Sequence, residues 1–245
     1  MRYWLIMPAA GVGRRFGTSK PKQYAQLQEG RTVIEWALAP FLADANCAGA
    51  VVVLASDDPY WPEVAERLAK RRVQTPRLIL ATGGAERSHT VRNGLVALNT
   101  LAAADDWVLV HDAARPCLPS ADLQRLLERV GSHPVGGLLA TPAADTLKRA
   151  VQRPDTTADP EIEQTVDRAA LWRALTPQMF RHGMLSEALD RAHACGRSPT
   201  DEAQALEWMS RRPVLVQGSA RNIKITSADD LAVAAALLGI TEPSH

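Results

Sequence analysis

The sequence predicts an α/β fold, a mostly parallel sheet with helices on both faces. Three observations carry this reading. Short aliphatic runs of strand length recur along the chain, amphipathic stretches of helix length separate them, and the runs are continuously apolar rather than alternating. Strands that read this way are covered on both sides, which is the situation of a parallel sheet wrapped by helices. At 245 residues the chain exceeds a small domain, and one large domain spanning 1–245 with an appendage fits best.

The predicted strands, in order, are Tyr3–Met7, Ala50–Ala55, Leu78–Ala81, Trp107–Val110, Gly137–Ala140 and Val214–Val216. The predicted helices are Thr32–Leu42, Pro62–Arg72, Glu86–Leu98, Ser120–Val130, Arg181–Ala194 and Asp201–Met209, with a last apolar helix after Ser227, its expected N-cap. In the first helix Val33, Trp36, Ala37, Pro40 and Phe41 fall at helical spacing, and Pro40 marks the last turn. One stretch breaks the rhythm. Thr146–Val151 and Ile162–Val166 read as polar strands flanking Arg153–Pro160, a loop tip with two prolines and two aspartates. Such a hairpin is either a solvated excursion or an arm that needs a partner subunit.

Composition closes several function classes. Lys and Arg number 28 against 27 Asp and Glu, so no chain-wide basic field exists to hold nucleic acid. The apolar stretches Val51–Ala55 and Leu231–Ile240 fall short of the ~18 residues of a membrane span. The start of the chain lacks the apolar core of a signal peptide. Cys47, Cys117 and Cys195 are scattered and odd in number, which excludes a disulfide framework and suits the cytoplasm.

Ligands of open parallel sheets collect at the carboxyl ends of the strands, so the segments after each strand decide function. The first is Pro8-Ala9-Ala10-Gly11-Val12-Gly13-Arg14-Arg15-Phe16-Gly17, followed by Lys20-Pro21-Lys22-Gln23. It lacks the Gly-Lys-Ser/Thr of a Walker A loop. Its third glycine stands one residue late for a dinucleotide fingerprint. With Arg14, Arg15, Lys20 and Lys22 the loop suits a triphosphate whose charge grows at the reacting phosphorus.

The second is Thr82-Gly83-Gly84-Ala85-Glu86-Arg87-Ser88-His89-Thr90, where a Gly-Gly turn opening a helix presents free amides. It reads equally as a binding loop for a base or ribose and as a tight turn. The third is His111-Asp112-Ala113-Ala114-Arg115-Pro116. Asp112 stands where phosphoryl-transfer enzymes place a carboxylate for Mg²⁺ or a hydroxyl, the competing reading being a loop pair with Arg115. His111 belongs to the packing. In the last segment Lys224 lies between Ile223 and Ile225, which under strand alternation places one cation at a strand end.

Together these blocks resemble the 2-C-methyl-D-erythritol 4-phosphate cytidylyltransferase family. The residues that carry the likeness are Pro8-Ala9-Ala10-Gly11-x-Gly13-x-Arg15, Pro21-Lys22-Gln23-Tyr24, Val110–Pro116, Thr165-Val166-Asp167-Arg168, Thr200-Asp201-Glu202 and Asn222-Ile223-Lys224-Ile225-Thr226. They occur in family order from Pro8 to Thr226. The resemblance implies a Rossmann-like nucleotidyltransferase fold and cytidylyl transfer from CTP to methylerythritol phosphate in the non-mevalonate isoprenoid pathway. It also implies Mg²⁺ or another divalent metal, and a homodimer whose hairpin arm, 142–168, completes the neighbour's site. It assigns Arg15 and Lys22 to the triphosphate and the transition state, and Arg168, Lys224, Thr146, Asp112 and Arg115 to the acceptor. Asp112 also serves the metal. Ala9, Ala10, Gly11, Gly84, Ala85 and Thr90 fall where the family binds cytidine.

The chain departs from the family at Ala85, where an acid is common, at Thr90 for serine, and at Arg221, which adds a cation. Three readings compete: a cytidylyltransferase for another polyol phosphate such as ribitol 5-phosphate, a nicotinamide-dependent dehydrogenase with Ser56-Asp57-Asp58 as its ribose-binding acid, and a non-catalytic nucleotide sensor.

Overall fold

The computed structural model describes residues 1–11, 20–71, 77–151 and 159–239. In chain order the elements are β1 (Tyr3–Pro8), α1 (Val33–Leu42), β2 (Cys47–Leu54), α2 (Trp61–Lys70), β3 (Arg77–Thr82), α3 (Arg87–Leu98), β4 (Trp107–Val110), α4 (Ser120–Val130) and β5 (Gly136–Pro142). They continue with β6 (Leu147–Ala150), β7 (Ile162–Val166), β8 (Trp172–Arg181), α5 (His182–Ala194), α6 (Glu202–Glu207), β9 (Val214–Gln217) and α7 (Asp229–Gly239). Each predicted strand and helix is present, with ends shifted by a few residues. Pro40 sits two residues before the end of α1.

Seven strands form one sheet in the order β3-β2-β1-β4-β8-β5-β9. The pairs β2–β3, β1–β2, β1–β4 and β5–β9 are parallel, while β8 runs antiparallel to both β4 and β5. Strand alternation splits the apolar residues between two cores. Tyr3, Leu5 and Met7 of β1 meet Ala50 and Val52 of β2 and Leu109 of β4 beneath α1, α2 and α4. Ile6, Val51, Val53, Val108 and Val110 point the other way, against α3, α5 and α6. Every one of these residues is fully buried. A third cluster, Val33, Cys117, Ile225 and Ala234, anchors α7.

β8 is absent from the sequence expectation, and its composition explains why. Its buried part carries Thr176, Pro177 and Gln178 in place of an aliphatic run. The Thr176 hydroxyl accepts the Asp112 N–H and Gln178 bonds Asp201 and Ala203 at the start of α6, so the strand trades apolar surface for hydrogen bonds.

The polar hairpin forms as expected. β6 and β7 pair antiparallel in a separate two-stranded sheet, and every residue of β6 is exposed. Most of its tip, 152–158, lies outside the described residues.

Two local expectations need correction. Residues 222–226 are not a strand. The segment is an irregular stretch tied by the Ile225 N–H to the Ala114 carbonyl, although Lys224 does turn outward while Ile225 is buried. The lead-in to α7 is capped from within the helix. Asp230 accepts from the N–H groups of Thr226 and Ser227 and from the Thr226 hydroxyl. A carboxylate makes the stronger acceptor for orphan amides than the serine hydroxyl expected there. Among the described residues no helix is long and apolar enough to cross a membrane.

Candidate active site

From β1 the chain builds outward to β2 and β3, then returns to place β4 on the other side. The crevice at such a reversal is where open sheets bind ligands. A cavity of about 560 Å³ lies there. It is lined by Pro8–Gly11 after β1, Gly84–Arg87 after β3 and Asp112–Ala114 after β4, with Lys22, Gln23, Thr90 and Lys224.

The start of the loop after β1 is held by the Gln23 side chain. The Gln23 amide donates to the carbonyls of Ala9 at 2.8 Å and Gly11 at 3.0 Å. Lys22 begins the short helical turn Lys22–Tyr24, and its ammonium donates to the Ile225 carbonyl at 2.7 Å.

On the facing side the glycine pair permits close approach. A Cβ on Gly83 would lie 2.3 Å from that of Ala10, and one on Gly84 would lie 2.4 Å from that of His89. The amides are not free, however. Gly83 N–H donates to the Leu54 carbonyl and Gly84 N–H to the Thr90 hydroxyl, which itself donates to the Glu86 carbonyl. Thr90 thus shapes the turn through its hydroxyl while its residue lines the cavity.

Asp112 is the electrostatic centre. Its Oδ2 lies 2.7 Å from Lys224 Nζ and 3.8 Å from Arg115 Nε, and its Oδ1 lies 3.0 Å from Arg87 Nη2. Burial alone would raise its pKa. Arg87 and Lys224 overcome that and hold the carboxyl well below its ordinary value. Arg87 spans further, to Glu202, with Nη1 at 2.6 Å from Oε1. Burial raises the Glu202 carboxyl against the opposing pull of Arg87.

His111 is fully buried beneath this loop, as expected of a packing residue. Its Nε2 lies 3.1 Å from the Arg115 carbonyl and its Nδ1 3.0 Å from the Thr176 hydroxyl. A carbonyl only accepts, so Nε2 carries the proton and Nδ1 accepts from Thr176. The same hydroxyl takes the Asp112 N–H at 3.1 Å. Burial, foremost, lowers the imidazole pKa to about 4, keeping it neutral.

The cavity therefore brings together Ala9, Ala10, Gly11, Lys22, Gly84, Ala85, Thr90, Asp112 and Lys224. Arg115 stands just behind them, its guanidinium donating to the Asn222 carbonyl at 2.7 Å. Thr146 and Arg168 lie outside the lining, exposed at the base of the hairpin, where Arg168 donates to the Ala144 carbonyl. Arg15 falls outside the described residues. Arg221 does not line the cavity; it donates to the Leu237 carbonyl at the C-terminal end of α7, where a cation is favoured.

Sequence reasoning gave no role to Arg87 and Glu202, although both stand inside blocks it singled out. The other acidic candidate, Asp58, is spent on structure. It accepts from the Tyr24 hydroxyl at 2.6 Å and from the N–H groups of Tyr60 and Trp61.

Among the described residues no three His, Cys, Asp or Glu side chains gather as a metal cage. Both Asp112 oxygens already face cations. One carboxylate already paired with Arg87 and Lys224 does not make a cage, so a hard divalent ion would have to bring most of its oxygen ligands with it on a phosphate chain.

A family model described as 2-C-methyl-D-erythritol 4-phosphate cytidylyltransferase matches residues 3–240. The chain is 52% identical to the proteins of that name from Ectopseudomonas mendocina strain ymp and Pseudomonas aeruginosa strain PAO1, covering 94% of this chain and 93% of each relative. Its fold is similar to a crystal structure of 4-diphosphocytidyl-2C-methyl-D-erythritol synthase, with a TM-score of 0.79 and 39% identity over 97% of this chain and 98% of the other. It is also similar to the Francisella tularensis 2-C-methyl-D-erythritol 4-phosphate cytidylyltransferase, with a TM-score of 0.78 and 32% identity over 97% of this chain and 100% of the other.

Proposed function

The chain belongs to the 2-C-methyl-D-erythritol 4-phosphate cytidylyltransferase family and transfers a cytidylyl group from CTP to that acceptor, releasing pyrophosphate in isoprenoid biosynthesis; on that premise we propose how its residues divide the work. The observation that supports the division best is the convergence of Lys22, Asp112 and Lys224 on one cavity opposite the Gly84 turn.

An acceptor phosphate oxygen attacks the α-phosphorus of CTP. The new P–O bond forms as the bond to the β-phosphate breaks, and pyrophosphate leaves with the electron pair. The nucleophile is already ionised, so no general base is required. The obstacle is an anion approaching a polyanion, and catalysis is mainly positioning and charge stabilisation.

Lys22, with Arg15, stabilises the charge at the α-phosphorus. Ala9, Ala10, Gly11, Gly84, Ala85 and Thr90 hold cytidine, with backbone groups reading the base edge. Lys224 and Arg115 serve the acceptor phosphate, and Asp112 orients its hydroxyls and keeps Lys224 aimed. Enzymes of the family work with a divalent metal. Mg²⁺ or a similar ion, held by the triphosphate with Asp112 beside it, would supply charge neutralisation.

The domain spans 1–245, and 142–168 is a dimerisation arm that carries Thr146 and Arg168 into the partner's site. In support, the hairpin and its base expose Leu147, Val151, Ile162, Leu171 and Trp172, an apolar surface that a second subunit would cover. Cytoplasmic residence, binding of small substrates rather than nucleic acid, and independence of membranes complete the reading.

Mixing two inactive variants tests the arm. A heterodimer of Arg168→Ala with Lys224→Ala has one intact site, so an equimolar mixture should recover about a quarter of wild-type activity. No recovery on mixing, with heterodimers present, would show that Arg168 does not act across subunits.

A further inference from the structure

Glu202 does not line the cavity, and it is 1% exposed. A buried carboxylate costs stability unless a cation matches it, and a neutral side chain would fill the same space without that cost. Its partner is Arg87, the first residue of α3, which does line the cavity.

Arg87 is held at both ends. Nη1 and Nη2 donate to the two Glu202 oxygens at 2.6 and 3.2 Å, while Nε and Nη2 donate to Asp112 Oδ1 at 3.2 and 3.0 Å. Both contacts on Oδ1 come from Arg87, and Lys224 takes Oδ2 at 2.7 Å.

The far end of this chain is braced as well. Asp201 caps α6 through the Gln204 N–H and accepts from the Gln178 amide of β8, whose carbonyl oxygen receives the Ala203 N–H. Glu202 is thereby fixed relative to the sheet, and a long flexible arginine gains one orientation.

We propose that Glu202 and Arg87 are positioning residues for the acceptor phosphate: Glu202 holds Arg87, Arg87 pins Asp112, and Asp112 aims the Lys224 ammonium. This rests on the reading of Lys224 as an acceptor cation. Two charged residues on elements far apart in sequence thereby set acceptor affinity without needing to touch the acceptor's reacting oxygen.

A double-mutant cycle tests it. Affinity for methylerythritol phosphate is measured by calorimetry in the presence of α,β-methylene CTP, beside the affinity for that nucleotide. Glu202→Gln keeps the shape and removes the charge. Arg87→Lys keeps the charge and cannot span both carboxylates; it carries the same test should Glu202→Gln fail to fold.

Each variant should weaken the acceptor about tenfold in the wild-type background, on the scale of one charge-assisted contact. Each should change nucleotide affinity less than about twofold, and weaken the acceptor less than about twofold once Lys224 is alanine. Unchanged acceptor affinity, equal losses with and without Lys224, or an equal fall in nucleotide affinity would overturn the proposal. A wild-type chain that binds the nucleotide but no methylerythritol phosphate would overturn the functional reading and the proposal with it, a distinct signature.

Discussion

Lys22 donates its ammonium to the carbonyl of Ile225 at 2.7 Å, across 203 residues of chain. The lysine assigned to the donor triphosphate is thereby tied to the segment that carries Lys224. In the proposed division of the site, this hydrogen bond joins the donor half to the acceptor half.

Lys22→Ala should lower turnover by about 10²–10³-fold, the scale of losing one transition-state donor. The same change removes the bond to the Ile225 carbonyl beside Lys224, so the acceptor KM should rise in steady-state assays. Turnover within threefold of wild type would contradict the role.

Asp112→Asn leaves Arg87, Arg115 and Lys224 without their shared anion. Breaking a buried charge pair on one side costs about 3 kcal/mol. Thermal unfolding should therefore begin several degrees lower, and the acceptor KM should rise. The Asp112 pKa is depressed in the folded state, so its contribution is fully present at neutral pH and is lost progressively as pH falls below the ordinary carboxylate range.

The buried His111 predicts a pH dependence of stability. Its folded pKa of about 4 lies below the ordinary 6.5, so the unfolded chain binds the proton more readily. Stability from this group is fully present above 6.5 and is lost as pH falls toward 4. Between pH 7 and pH 5 the loss should be about 2 kcal/mol. Urea titrations of wild type and His111→Gln should show the smaller pH slope in the variant over that window. Equal slopes would mean that His111 is not held neutral.

The hairpin predicts an association state. Ile162 is 65% exposed on β7. Ile162→Asp should leave the main sheet folded and shift the sedimenting species from dimer to monomer. An unchanged dimer would show that subunits meet elsewhere.

Much of this architecture is legible in the residues, because aliphatic runs such as Trp107–Val110 can satisfy their surface only inside a covered sheet. β8 escaped because Thr176 and Gln178 replace apolar side chains with hydrogen bonds to Asp112, His111 and Asp201. A residue pattern shows burial far better than it shows a polar side chain satisfied by a distant loop. The cavity lining was legible for a similar reason. Ala9, Gly84 and Asp112 each follow a strand end, where an open sheet binds ligands.

Arg87 and Glu202 were not assigned, because their meaning arises only when α3 and α6 meet beside β4, 115 residues apart in sequence. Lys224 was placed on the correct side for a mistaken reason. Its segment is irregular, and its direction follows from the burial of Ile225 and the pull of Asp112 rather than from strand alternation.

The most direct measurement is pyrophosphate release from CTP and Mg²⁺ with methylerythritol 4-phosphate, with ribitol 5-phosphate, and with no acceptor. Release that depends on methylerythritol phosphate and falls to background with the other two is the predicted result. Preference for ribitol phosphate, or silence with both acceptors while CTP still binds, would contradict it.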